Sequence, residues 1–236
     1  VIGKLGNTEL KESNIFFKNR FFPDSKINYA ENLLKKNNND PAIIFKNEYG
    51  YKTVLSWKEL NSKVGKVSNW MKSVGIKKGD RIAAYLPNIP EAVTAYISTA
   101  ALGGIWSSCS PDFGEDGVID RFSQINPKIL FIGDKYFYNG KKINILSRLD
   151  KILEKIPSIK KVIIIPYPGT AAKYKIQTKI DTYEWKEIIS LENKKINKNK
   201  FELFNFNDPL AILYSSGTTG KPKCICHSIG GVLLQH

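Results

Sequence analysis

The chain has 236 residues, 42% of them hydrophobic and 25% charged, values ordinary for a soluble protein and sufficient for one large domain. Charges run through the first twenty residues and no apolar run reaches membrane-spanning length, which argues against a secreted or anchored class and for the cytoplasm. The formal net charge is +14, but only four of the 36 basic residues are arginine (Arg20, Arg81, Arg121, Arg148), the residue that dominates direct base reading; no specific nucleic-acid partner is expected, only a basic surface that attracts polyanions.

In chain order, the first forty residues read as irregular, with Phe16, Phe17, Phe21 and Phe22 ahead of Pro23. Residues 42–45 and 51–55 flank a polar turn and predict a β-hairpin. Ser56 and Glu59 form a Ser-x-x-Glu capping box. The helix it opens places Trp57, Leu60, Val64, Val67, Met71 and Val74 at three- and four-residue spacing and stops at Gly75. A strand over 81–86 leads to a second helix from Asn88-Ile-Pro-Glu91, apolar nearly all round and so expected to be buried. Gly103-Gly104 ends it before a strand at 105–108. A third helix near 116–125, a strand at 129–132, a fourth helix on Ile145, Leu149, Ile152 and Ile156, and a strand at 162–165 follow. This alternation predicts an α/β domain with a largely parallel sheet. Residues 167–205 break the rhythm and read as a surface excursion with one apolar patch (Trp185, Ile188, Ile189, Leu191).

Leu210–Tyr214 is a further buried strand, and it runs into SSGTTGKPK at 215–223. Ser215, Ser216, Gly217, Thr218, Thr219 and Gly220 carry a small hydroxyl or no side chain; Lys221 and Lys223 bracket Pro222. A phosphate needs short converging donors, close backbone approach and positive charge, and this run supplies all three. It is not the Walker loop, whose first glycine and final hydroxyl positions hold Ser215 and Pro222 here. Pro222 followed by Lys-Cys-Ile-Cys predicts an exit as a second strand, with the loop at a hairpin tip. Cys109, Cys224 and Cys226 make no disulfide framework. Cys224-x-Cys226 with His227 lacks zinc spacing, so no metal site is expected and the pair reads as alternating strand residues.

YSSGTTGKPK at 214–223 resembles the signature of the adenylate-forming superfamily, which includes acyl-CoA synthetases, luciferases and nonribosomal-peptide adenylation domains. FFPDSKINYAENLL (21–34), GDRIAAYLPNIPEAV (79–93), GGIWSSCSPDFG (103–114), DRFSQINPK (120–128) and KCICHSIGGVLLQH (223–236) are similar, in order and spacing, to the AMP-forming acyl-CoA synthetases that use acetoacetate. The acetyl- and propionyl-using members share the loop and the NYAxN run, and differ over the Trp-Ser-Ser-x-Ser-Pro-Asp-Phe-Gly stretch. The resemblance implies an α/β fold: part of the large N-terminal domain of an adenylate-forming enzyme, with mostly parallel sheets flanked by helices. It divides the chain into an N-terminal lead-in segment, 1–40, and the front of the AMP-binding (adenylation) domain, 41–236. Val at position 1 and the apolar run near His236 give the expectation of a fragment that ends just after the phosphate loop and is inactive alone.

The implied reaction starts with a carboxylate attacking the α-phosphate of ATP to give an acyl-adenylate and pyrophosphate. The thiol of coenzyme A then displaces AMP. By resemblance Ser215 to Gly220 hold the ATP phosphates, Lys221 and Lys223 offset their charge with Mg²⁺, and Lys223 is the catalytic candidate. Gly140 and Lys141, within Tyr138–Lys142, fall where acetyl-CoA synthetases carry a basic turn for coenzyme A. Tyr138 stands in place of that family's arginine, and an ordinary turn opening the fourth helix is the alternative. Trp106, Ser107, Ser108, Asp112, Phe113 and Arg121 are assigned to packing around the cleft, with an Asp112–Arg121 pair conceivable; His227 reads as a strand end. The implied partners are ATP, coenzyme A, a short carboxylic acid and the missing C-terminal part of the same enzyme. Rival readings are an acetyl- or propionyl-type synthetase, and a non-catalytic nucleotide-binding remnant.

Overall fold

The computed structural model describes residues 1–172, 174, 178–191, 201–215 and 220–236. The lead-in segment is built from two-residue ladders, Gly3–Lys4 with Lys26–Ile27 and Leu10–Lys11 with Arg20–Phe21, and helix α1 (Tyr29–Leu33). Two of its asparagines, Asn28 and Asn32, explain the NYAEN run. Buried Asn28 caps α1 by accepting from the Glu31 amide at 3.2 Å, and donates to the Ala101 and Glu202 carbonyls at 3.1 and 2.9 Å. Asn32 accepts from the Ile2 amide at 2.6 Å and donates to the Ile2 carbonyl at 2.8 Å. A buried amide left without partners destabilises strongly; Asn28 thus holds the segment against the body, and Asn32 holds the start of the chain to α1.

The expected hairpin is present as β1 (Pro41–Lys46) and β2 (Lys52–Ser56). Helix α2 (Trp57–Ser73) follows, opened by the full Ser56–Glu59 capping box. Gly75, with φ +88°, turns the chain out of it in a conformation only glycine adopts readily. Strand β3 (Arg81–Tyr85), helix α3 (Pro90–Ala101), strand β4 (Ile105–Cys109), helix α4 (Glu115–Phe122) and strand β5 (Ile129–Gly133) come next. Pro90 sits in the first turn of α3, where its missing N–H costs nothing. The buried hydroxyls of α3 are satisfied within the helix: Thr94, Ser98 and Thr99 donate to the carbonyls of Pro90, Thr94 and Ala95 at 3.0, 2.7 and 2.9 Å.

Between β5 and the next helix the structure corrects the sequence reading. Residues 138–142 do not open a helix; they are the tip of a hairpin, β6 (Lys135–Tyr138) and β7 (Lys141–Asn144). Asn139 and Gly140 have φ +49° and +72°, the two left-handed positions that a tight hairpin turn requires. Helix α5 begins only at Leu149 (Leu149–Lys155). Strand β8 (Lys161–Ile165) was expected; β9 (Asp181–Glu184) and helix α6 (Trp185–Ser190) were not. The described part of 167–205 is therefore more than a surface excursion: β9 pairs in parallel with β8, and Trp185 and Ile188 are buried. Strands β10 (Pro209–Ser215) and β11 (Lys223–Ser228) form the expected antiparallel pair, and helix α7 (Ile229–Leu233) follows.

Among the described residues the main sheet has seven strands in the order β9-β8-β5-β3-β4-β10-β11. Every neighbouring pair is parallel except β10 with β11. Strand alternation splits the core into two layers. Ile82, Ala84, Phe131, Ile163 and Ile165 pack with Val67, Met71, Ala95 and Trp185 from α2, α3 and α6. Ala83, Tyr85, Leu130, Ile132 and Ile164 pack with Val118, Phe122, Leu149 and Ile152 from α4 and α5. A third cluster joins α1 to α2, α3 and Phe204. Burial on both faces explains why β3, β5 and β8 read as continuous apolar runs. No helix among the described residues is long and apolar enough to cross a membrane.

Candidate functional site

Six parallel strands send their carboxyl ends to one rim of the sheet, where open α/β folds bind ligands. Ser215 lies on that rim at the end of β10 and pairs in register with Lys223, the first residue of β11. The hairpin ladder thus sets the lysine opposite the serine at the base of the loop. Ser216, Gly217, Thr218 and Thr219 lie outside the described residues. Gly220 has φ +91°, a left-handed turn that explains a glycine at the outgoing side of the loop. Gly220, Lys221 and Lys223 are exposed. Among the described residues neither lysine pairs with a carboxylate, which leaves two ammonium groups available to an anion.

The strands that carry the loop border a cleft of about 740 Å³. Leu213 and Cys226 line it from β10 and β11, Trp106 and Ser108 from β4, and Tyr96 from α3; His227 and Gln235 add polar groups. A second cavity of about 380 Å³ shares Tyr96, Trp106 and Ser108 and extends to Asn88 and Ser110. Mostly apolar walls with a few polar groups are what small-molecule sites use. Three half-buried residues of α3 line these spaces: Tyr96 borders both, Ala92 and Val93 the smaller. Helix α3 is buried as expected, with none of its residues exposed. Burial pushes the Tyr96 phenol well above its ordinary pKa and keeps it a neutral hydrogen-bonding group.

Of the residues expected to pack around the cleft, the three on β4 divide by strand alternation. Trp106 and Ser108 face the cleft, whereas buried Ser107 points to the other layer, donating to the Ile212 carbonyl at 2.9 Å beside the Tyr214 hydroxyl at 3.0 Å. Asp112 and Arg121 do not pair. Asp112 accepts from Ser110 Oγ at 2.7 Å and Tyr136 Oη at 3.1 Å. Arg121 lies over the Phe113 ring, 3.9 Å from its centroid, and donates to the Gly117 carbonyl at 2.7 Å. Arg148 donates to the Pro111 and Phe113 carbonyls at 3.0 and 2.9 Å, so the loop after β4 is held by a guanidinium. His227 is the penultimate residue of β11 and lines the cleft; Ser228, not His227, ends the strand and caps α7 by accepting from the Gly231 amide at 3.1 Å.

Gly140 and Lys141 lie away from the strand pair β10–β11. Their hairpin follows β5, three strand spacings from β10, or about 14 Å at the usual spacing. The Gly140 amide donates to a Glu48 carboxylate oxygen at 3.1 Å, and the Tyr49 ring meets Phe137 edge-on, 4.6 Å between centroids. Among the described residues no three His, Cys, Asp or Glu side chains gather to hold a metal ion.

Residues 30–235 match the sequence pattern of the AMP-binding enzyme family. The chain belongs to the AMP-binding enzyme family. Within that family it is 41% identical over 238 residues to the acetoacetyl-coenzyme A synthetase of Rhizobium meliloti (strain 1021), a match over all of this chain and 36% of that protein. It is 43% identical over 220 residues to the acetoacetyl-CoA synthetase of Gallus gallus, covering 92% of this chain and 33% of the relative. The malonamoyl-CoA synthetase of Penicillium aethiopicum is 33% identical over 227 residues, covering 92% and 31%. The solved structure of acetoacetyl-CoA synthetase from Streptomyces lividans superposes with a TM-score of 0.86 at 35% identity, covering 98% of this chain and 34% of that one. The chain spans about a third of the length of these AMP-binding relatives. Its α/β architecture, a mostly parallel sheet with flanking helices, is the adenylate-forming fold.

Proposed function

We propose that the protein carrying this chain ligates acetoacetate to coenzyme A at the expense of ATP, through an acetoacetyl-adenylate, releasing pyrophosphate and then AMP. The observation that carries the reading is that Ser215 and Lys223, the two ends of a run of hydroxyls and glycines in the sequence, pair at the carboxyl rim of a parallel sheet beside a cleft, with Lys221 and Lys223 exposed. Attack of one anion on another is slow because both repel, so catalysis by this chain amounts to positioning the triphosphate and neutralising charge as pyrophosphate departs. Small residues let the backbone approach the β- and γ-phosphates; Lys221 and Lys223 then balance the growing negative charge. Mg²⁺ would supply further charge neutralisation on the nucleotide's own oxygens, and no described residue is assigned to it. Choice of acid is supported by the relatives' names, since acetoacetyl and malonamoyl groups both carry a carbonyl β to the acyl carbon. The 236 residues supply the phosphate grip and one wall of the cleft; activity is expected only together with the rest of a protein of the relatives' length.

Acetoacetate-dependent exchange of pyrophosphate into ATP, measured on the full-length protein, tests the reading. Exchange with acetoacetate well above that with acetate is expected, and Lys223→Ala should lower it by about 10²-fold with melting unchanged. Faster exchange with acetate would overturn the acid assignment; unchanged exchange in Lys223→Ala would overturn the role of the loop.

A further inference from the structure

We propose that Gln124 is a positioning residue for the phosphate loop, tying its outgoing leg to the end of helix α4; the inference rests on the phosphate-loop reading above. The two legs of the loop are held differently. The incoming leg belongs to β10, an internal strand paired on both sides, and the Tyr214 hydroxyl donates to the Arg121 carbonyl at 3.2 Å just before the loop. The outgoing leg begins β11, which among the described residues is the edge strand with a ladder on one side only. It also contains Pro222, whose nitrogen has no hydrogen to give. Left to the ladder alone, the backbone that presents Lys221 and Lys223 would be the weaker leg.

Gln124 makes up the difference. Its side-chain amide donates to the Pro222 carbonyl at 2.9 Å and, with its other hydrogen, to the Asp120 carbonyl at 2.8 Å. Its oxygen accepts from Cys224 Sγ at 3.6 Å. The two contacts across to β11 fall on the residues immediately before and after Lys223. The bond to Asp120, four residues back, fixes the rotamer, so the amide reaches Pro222 already ordered. An exposed glutamine at a helix end needs no protein partner, yet this one bridges 98 residues of sequence to reach the loop. Arg121 and Gln124 together anchor both legs to one short stretch, the last turn of α4 and the turn after it. Lys223 reaches its phosphate on a flexible four-carbon stem, so the direction of that stem depends on how firmly its own backbone is held.

The test is made on the full-length protein with acetoacetate-dependent pyrophosphate exchange. Gln124→Met keeps the length of the side chain and removes the donor; Gln124→Glu removes the donor and keeps an acceptor. Each should lower the exchange kcat about five- to ten-fold, the scale of one lost orienting hydrogen bond. The acetoacetate KM and the melting temperature should stay unchanged. In a Lys223→Ala background the further loss should fall below about two-fold, because residues acting through one group are not additive. Wild-type exchange in both Gln124 variants, with Lys223→Ala impaired, overturns this inference and leaves the loop reading standing. Equal losses in both backgrounds, or losses that track a lowered melting temperature, overturn it as well. Wild-type exchange in Lys223→Ala removes the loop reading and this inference with it.

Discussion

Cys109 closes strand β4 beneath the loop held by Arg148, and burial pushes its thiol up to about 12 despite the Arg121 charge that pulls the other way. Only the thiolate is a nucleophile, and a raised pKa keeps this group protonated through neutral and mildly alkaline pH. Iodoacetamide should therefore modify exposed Cys224 readily in the native protein and leave Cys109 intact until denaturant is added. Peptide mass spectrometry reads both sites in one experiment; labelling of native Cys109 at the rate of Cys224 would contradict its burial. Legibility at this scale was uneven. The hydroxyl, glycine and lysine character of 215–223 is local chemistry, visible in any run of residues. The roles of Asn28 and Asn32 were not visible, because their partners at Ala101, Glu202 and Ile2 lie elsewhere in the chain. The Asp112–Arg121 pair failed for a related reason: Tyr136 and Phe113 offered each side chain a nearer partner.

Elements are specified where a signal repeats or where two positions at fixed spacing act together. Ser56 and Glu59 are the second case. In the fold the Ser56 amide donates to Glu59 Oε2 at 2.8 Å and Ser56 Oγ accepts from the Glu59 amide at 3.3 Å. Ser56→Ala should destabilise the protein by about 1 kcal/mol at neutral pH, measured by urea unfolding. The hydrogen bond from the Ser56 side chain is the main cause that lowers the Glu59 pKa. A carboxylate lowered in the folded state stabilises above its unfolded pKa, and that contribution is lost as pH falls through the folded value. The penalty of Ser56→Ala should accordingly shrink in acid; a penalty independent of pH would mean the carboxylate plays no part. The missed elements lacked such signals or were misread. Asp181–Glu184 is a four-residue strand on the sheet edge, with Tyr183 its one large apolar side chain, too short for a period to show. The Asn139-Gly140 pair between Phe137 and Ile143 is a strong hairpin signal that the fourth helical pattern obscured.

At the scale of the molecule, stability should follow burial. Strands β3, β5 and β8 lie inside the sheet with apolar side chains on both faces. Hairpin β1–β2 stands outside that sheet with Ile44 and Val54 62% and 45% exposed. Amides of the three central strands should exchange with deuterium slowest, and those of β1–β2 much faster, since local opening there exposes little apolar surface. Equal protection in the two regions would show that the hairpin is part of the cooperative core. The cleft belongs to this scale too. Its walls come from Tyr96, Trp106, Leu213, Cys226 and Gln235, residues that meet only because β4, β10 and β11 are neighbours.

The amino-acid sequence alone determined the class of fold, the helices and buried strands from 56 to 165 apart from the hairpin at 135–144, the strand pair on either side of the loop, and the small, hydroxylated and basic character of 215–223. Each of these rests on interactions between residues a few positions apart, where periodicity and capping chemistry act directly. Only the tertiary structure decided the strand order, the seventh strand at the edge, the cleft, and the hold of Gln124 on Pro222. Those depend on which distant segments come to lie side by side, and an isolated stretch of chain carries no mark of the neighbour that will pack against it.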